Sequence, residues 1–325
     1  MKLKSFSLFL VVLLVLSLLL LSVAASAEQI YKWKIPTGSA TGTYYTSLSA
    51  ICMTLDKNTD NIEATASVGG GSASNARKVG IGDAPFSLST SSATFYAAKG
   101  EKMFTEKYEA LMAWGTLHQL YVDFLVKTDS KIKDFADLKG KKIAIGEPGS
   151  GDAVAAEDIL KTAGLWDVVI KVKVGDPQSL DLLKLGQVDA IIHHTSAPNP
   201  NFFSFSTTTP IRALDMPQDL IDKLVDMGYF APGVIKAGTY KGTDKDAHVV
   251  LLPVVMIVNK DLPEDIVYEM TKVVWTHFDE VVEIAPFLKV VDPKKVLGGI
   301  PVPLHPGAYK YFKEAGFEIP DKLKP

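Results

Sequence analysis

The strongest constraint on this chain is a unit that recurs along it: a short strand, a turn of glycines and hydroxyls, then a helix start. Its first copy runs from Ile30-Tyr31-Lys32-Trp33-Lys34-Ile35, with the alternating faces of a strand, into Thr37-Gly38-Ser39-Ala40-Thr41-Gly42-Thr43-Tyr44-Tyr45. Beyond Thr43 the period changes. Leu48, Ile51, Cys52 and Leu55 fall at i, i+3, i+4 and i+7, one face of a helix that Thr41 or Thr43 is placed to cap. Such a turn sets free backbone N–H groups and a positive helix end beside whatever occupies the strand end. An ordinary strand-to-helix turn would look the same, so the weight rests on repetition.

The repeats follow. Ile62-Glu63-Ala64-Thr65-Ala66-Ser67-Val68 alternates, Gly69-Gly70-Gly71-Ser72 closes it, and Ser72 is placed to cap a helix carrying Asn75, Ala76 and Val79. A strand from Phe86 ends in Thr90-Ser91-Ser92, and Gly149-Ser150-Gly151-Asp152 opens a helix with Ala155, Ala156, Ile159 and Leu160 on one face. A strand over 170–174, a helix over 179–185 and a strand over 188–192 lead into His193-His194-Thr195-Ser196-Ala197, before Pro198 and Pro200. Alternating strands and helices imply parallel sheets, and ligands of such sheets sit beyond the carboxyl ends of the strands. The strand-end loops therefore supply the candidate ligand-binding residues. In the first half of the chain these are Thr37, Gly38, Ser39, Gly42, Thr43, Tyr44, Gly71, Ser72, Asn75, Thr90 and Ser91. In the second they are Ser150, Gly151, Asp152, His193, His194, Thr195, Ser196 and Ala197. Adjacent strand residues point to opposite faces, so at most one of His193 and His194 meets a ligand.

The 325 residues begin with Lys2 and Lys4, an apolar run from Phe6 to Val23, and Ala25-Ser26-Ala27, the pattern of a cleaved export signal with Glu28 as the new N-terminus. No cysteine follows the run to carry a lipid, and the expected location is outside the cytoplasmic membrane. Losing residues 1–27 removes two lysines and no acid, which moves the formal net charge from −3 to −5 and argues against a nucleic-acid partner. The single cysteine, Cys52, excludes a disulfide framework. Only Arg77 and Arg212 could offer an anion a guanidinium fork. The six histidines are scattered without an H-E-x-x-H, so the pattern asks for no metal and no cofactor. Gly149-Ser150-Gly151 lacks the G-x-S-x-G spacing of a nucleophile elbow, and no assembled nucleophile, base and acid supports a hydrolase built on Ser150 or His193. The expectation is a protein that is not an enzyme.

Several of these stretches resemble one family. Gly42-Thr43-Tyr44-Tyr45 after a Thr-Gly pair is similar to the opening of the TAXI proteins, solute-binding subunits of tripartite ATP-independent periplasmic (TRAP) transporters. Gly70-Gly71-Ser72 with Asn75 resembles the family's Gly-Gly-Ser-x-x-Asn element, Ala237-Gly238-Thr239-Tyr240 its Ala-Gly-Thr-Tyr element, and Ile300 to Tyr311 its C-terminal signature, in which His305 reads as structural. The likeness covers nearly all of the chain after residue 30. It implies an α/β fold of two lobes, like the type II periplasmic binding proteins, with hinge strands and a ligand cleft between the lobes. Residues 28–127 and 246–325 would form one lobe and 128–245 the other. It also implies a small-molecule ligand and TRAP-type permease subunits as partners, with the binding protein of an ATP-driven importer as the rival.

The chain departs from the family at one informative place. Where members commonly read Gln-Ser-Asp at the end of the third strand, this chain has Thr90-Ser91-Ser92, and Pro85 replaces the usual aspartate of the preceding turn. A buried ammonium needs a carboxylate or several acceptors. With those carboxylates gone, hydroxyls, helix N-termini and a histidine suit a small organic acid without an amino group, rather than glutamate or glutamine. Asp152 either replaces the lost carboxylate or caps its helix.

Overall fold

The computed structural model describes residues 29–325 apart from Thr41 and Gly149, so the export signal expected at residues 1–27 lies outside the described residues. The first strand, β1 (Tyr31–Pro36), pairs in parallel with β2 (Ile62–Ser67). Between them runs helix α1 (Thr43–Asn58), which buries Leu48, Ile51, Cys52 and Leu55 as its periodicity dictates. Each of its large aliphatic side chains contributes about 2 kcal/mol by leaving water. Cys52 is a free thiol in this face, and burial pushes it up to about 12. Next come α2 (Ser72–Gly80), β3 (Phe86–Thr90) and α3 (Ser91–Lys99). The Ser87 hydroxyl donates to the Pro36 carbonyl at 2.6 Å and ties β3 to β1.

Two strands organise the rest: β4 (Leu111–Lys127), of 17 residues, and β10 (Ala247–Asn259), of 13. They run antiparallel along one another from Leu111↔Asn259 to Val122↔Val250. At one end β10 carries β3, through Val254 to Val258. At the other end β10 carries β9 (Ala231–Ile235), and β4 carries β7 (Ala190–Thr195) and β8 (Ile211–Ala213). Beyond β7 lie β5 (Lys142–Ala144) and β6 (Ile170–Val172), both parallel to their neighbours. The fold is thus α/β in two lobes joined by strands that belong to both. The sheet is mixed and not parallel throughout, because β4 and β10 cross between lobes in opposite directions.

The second lobe also holds α4 (Gly151–Thr162), α5 (Asp176–Lys184), α6 (Pro200–Thr208) and α7 (Gln218–Val225). After β10 the chain returns to the first lobe as α8 (Glu264–Thr276), α9 (Phe278–Ile284) and α10 (Pro306–Glu314). His305 is structural there. Its Nδ1 accepts from the Gly307 N–H at 3.2 Å to cap α10, and its Nε2–H donates to the Leu262 carbonyl at 3.1 Å. Among the described residues no helix is long and apolar enough to cross a membrane.

Candidate functional site

The first-lobe wall is built from the ends of β1, β2 and β3. Thr37 is buried, its hydroxyl donating to Ser67 O at 2.8 Å, and its carbonyl accepts from Gly71 N at 3.1 Å. Only glycine fits at 69, where a Cβ would lie 2.6 Å from the Thr37 carbonyl oxygen. The Gly38 carbonyl accepts from Gly69 N at 3.0 Å, which pins the two loops together, and Ser39 stays exposed. The helix caps differ from expectation. Gly42 caps α1 and Gly71, at φ +75°, caps α2, neither with a side-chain bond, so the hydroxyls of Thr43 and Ser72 are not the caps. A glycine cap leaves the first N–H groups of a helix open to another acceptor.

Ser72 is used elsewhere. Its oxygen lies 3.0 Å from the Tyr44 hydroxyl and accepts from Thr90 N at 3.2 Å, so three strand-end loops converge on one hydroxyl. Burial pushes the Tyr44 phenol well above its ordinary value, and the charge of Asp152, across the cleft, adds to this. Asn75 does not face this wall. Its amide donates to Leu88 O at 2.9 Å and fastens α2 to β3. The strand expected to continue through Ser92 stops at Thr90, which caps α3 by accepting from Ala93 N at 3.3 Å. The Ser91 hydroxyl donates to the Tyr229 carbonyl at 2.9 Å, a bond between lobes.

The second-lobe wall is the start of α4 and the end of β7. The Ser150 oxygen caps α4, accepting from Ala153 N at 3.2 Å. Asp152 is not a cap. Its Oδ1 accepts from the His194 backbone N–H at 2.9 Å and from the His194 Nδ1–H. Burial alone would raise this carboxyl, but the His194 charge and hydrogen bonds outweigh it and hold Asp152 below the usual carboxylate range. With Nδ1 committed, the His194 Nε2 is buried and has no hydrogen-bond partner among the described residues. Gly151 lets the lobes meet. A Cβ there would stand 2.7 Å from the His194 ring and 3.1 Å from the Thr90 methyl of the other lobe.

His193 faces the other way, as alternation requires. It pairs in register with Asp123, packs against Phe202 with ring centres 4.3 Å apart and planes tilted by 60°, and its Nε2 lies 3.3 Å from the Ser179 oxygen. The Thr195 oxygen accepts from the Asn199 amide at 2.8 Å, and Ser196 and Ala197 follow half-buried. Of the sequence candidates, Tyr44, Ser72, Thr90, Gly151, Asp152 and His194 come together. Neither arginine takes part: Arg77 donates to Met103 O at 2.6 Å and Arg212 to Ile132 O.

Two further features carry no sequence motif. His118, on β4, is buried with neither ring nitrogen hydrogen-bonded among the described residues. Its only sequence signal is a histidine inside the apolar run from Leu111 to Val126. The second is a polar tie between lobes. Tyr96 and Lys102 of the first lobe meet Asp158 and Tyr229 of the second. Tyr96 donates to Asp158 Oδ1 at 2.9 Å, the two phenol oxygens lie 2.6 Å apart, and Lys102 pairs with Asp158. Burial raises the Asp158 carboxyl in spite of Lys102, and burial raises the Tyr96 and Tyr229 phenols too.

This fold resembles that of XAC2383 from Xanthomonas citri, solved bound to ATP, with a TM-score of 0.50 and 10% identity over 87% of this chain and 94% of that one. Further matches are a TctC solute binding protein from Polaromonas (TM-score 0.49, 13% identity, 82% and 88% coverage) and the alkanesulfonate-binding protein SsuA from Xanthomonas axonopodis pv. citri, bound to MOPS (0.47, 13%, 89% and 85%). At such identities the likeness concerns the fold alone. The sequence match is a family one: the model of the NMT1-like family aligns with residues 35–316, and the chain belongs to that family.

Proposed function

We propose that this protein is an extracytoplasmic solute-binding protein of the TAXI type, which closes its lobes on a small organic acid and delivers it to a TRAP membrane permease. The observation that carries the reading is the meeting at Gly151, where the Thr90 methyl of one lobe and the His194 ring of the other converge on a position that only glycine fits. Side chains of both lobes are thereby built for a closed state, and closure around a ligand is how such a hinge gains affinity. The lobes are taken as 28–127 with 246–325, and 128–245. The Asp152–His194 pair fixes the imidazole at one wall of the cleft, and the Ser150 oxygen caps α4 beside it.

The acid specificity rests on the same side chains. Asp152, the carboxylate that could have met an ammonium, is engaged twice by His194. Open helix N-termini at Gly42 and Gly71, with the hydroxyls of Tyr44 and Ser72, favour a negative group. An amino-acid ligand is the second reading, supported by the Asp152 charge reaching as far as Tyr44. A melting screen separates the two. A ligand at a hundred times its Kd stabilises the protein by about 2.7 kcal/mol, and dicarboxylates or oxoacids are expected to give that shift where glutamate and glutamine do not. Amino acids shifting the melt alone would favour the second reading. For the partner, uptake of the identified acid into vesicles carrying a TRAP permease should require this protein, whereas dependence on ATP would assign it to an ATP-driven importer.

A further inference from the structure

The buried histidines of this chain differ in one respect. His305 has both ring nitrogens hydrogen-bonded, and His193 has Ser179 on its Nε2. His118 is 7% exposed, and both of its nitrogens are buried without a hydrogen-bond partner among the described residues. A buried polar group kept for folding alone is normally satisfied, and leaving one unmatched costs stability. His118 therefore weakens the fold for which it would otherwise be retained.

Its position shows what it is aimed at. In the crossing strands His118 lies in register with Val254, which lies in register with Thr90 on its other side, so these three side chains leave one face of the sheet. Val122, four residues on along β4, shares that face, and its partner across the ladder is His194. His118 thus occupies the middle of the 17-residue strand, on the face that carries Thr90 and His194, where the two lobes join. The ring of Phe287 stands edge-on to it at 5.8 Å. Burial, with the His194 charge adding to it, lowers His118 to about 3, so the free ring is neutral, with one N–H and one lone pair.

We propose that His118 is the floor of the ligand site and donates a hydrogen bond to a carboxylate of the bound acid, with the open Nε2 of His194 as the second imidazole contact. This rests on the solute-binding reading above and adds the residue that selects for the carboxylate.

The test combines affinity with stability of the ligand-free protein. The variants are His118→Leu, which removes both nitrogens, and His118→Gln, which keeps a donor and an acceptor. The probes are succinate, malate and 2-oxoglutarate, with glutamate and glutamine as comparators, in calorimetric titrations and thermal melts. The expected result is that an acid bound by the wild type binds roughly ten- to a hundred-fold more weakly to His118→Leu, and nearer to normally to His118→Gln. The ligand-free His118→Leu should melt no lower than the wild type, since two unmatched polar atoms are gone. A lower melting temperature with unchanged affinity would make His118 a structural residue and overturn the proposal. Binding of glutamate or glutamine alone, unaffected by His118→Leu, would overturn it too while leaving the solute-binding reading in place. No response to any of the five compounds would count against both.

Discussion

At the scale of single residues, the site depends on what is missing from Gly151. Replacing it with alanine drives a methyl against the His194 ring, whose Nδ1 is held by Asp152 while the same carboxylate holds the His194 backbone N–H, so the ring cannot simply swing aside. Overpacking of this kind costs about 1–3 kcal/mol. Gly151→Ala should therefore melt lower, and should lose affinity for the ligand by more than its fold is weakened, because the contact lies between lobes. Titration calorimetry beside a melt checks this, and unchanged affinity would move the lobe contact elsewhere. The same residues set an acid limit. His118 has a folded pKa of about 3 against an ordinary value near 6.5, so between those values the unfolded chain binds the extra proton and stability rises with pH. The slope reaches at most about 1.4 kcal/mol per pH unit. Asp152, held low, contributes stability above the ordinary carboxylate range and loses it only as pH falls below that range. Denaturant titrations of His118→Leu should lose slope between about pH 6.5 and 4 and keep the loss at lower pH that Asp152 contributes.

At the scale of elements, α3 and α4 are joined across the lobes by Tyr96, Lys102, Asp158 and Tyr229. Asp158 is 3% exposed and the Lys102 side chain 16%, so the pair is shielded from solvent, and removing one member of a buried pair costs about 3 kcal/mol. Asp158→Ala should destabilise the fold by that order, seen as a lower melting temperature, and speed amide exchange in α4. Loss of stability without faster exchange there would make the cluster a local support rather than a tie. Helix α1 was legible because its apolar residues keep one face, and Gly149-Ser150-Gly151 because a glycine turn precedes a periodic run. The first half of β4 was not. Leu111, Ala113, Trp114, Leu117 and Leu120 are buried on both faces, so alternation, the usual sign of a strand, is absent, and His118 was lost within that run. Expecting the strand to pass Thr90 failed for a different reason: a threonine that ends a strand can cap the next helix in the same step. The facing of His193 and His194 was legible up to a choice, and packing on Phe202 made it. The tie through Asp158 joins residues 62 and 71 positions apart, a contact no local pattern announces.

At the scale of the whole molecule, the lobes share their sheet. Strand β10 pairs with β3 in one lobe and β9 in the other, and β4 pairs with β10 along most of its length, so the eight-stranded sheet is divided between the lobes, while β1 and β2 form a separate two-stranded sheet. The C-terminal segment strengthens this. Ala113 N donates to Pro303 O at 2.9 Å, His305 N to Ala113 O at 2.8 Å, and Thr116 N to Val296 O at 2.7 Å, which fastens residues 296–305 to the first-lobe half of β4. The stretch that resembles the TAXI signature is thus a brace on the hinge strand. Unfolding either lobe strips β4 or β10 from the other, so the two should melt as one. Scanning calorimetry of the ligand-free protein is expected to give a single transition with a van't Hoff enthalpy close to the calorimetric one. Two lobes unfolding independently would bring that ratio down to about one half. With the proposed contacts from both lobes and from the strand between them, a bound acid should raise the temperature of the single transition without splitting it. A ligand-induced second transition would mean that the solute stabilises one lobe alone, and would place its site outside the cleft between Tyr44 and His194.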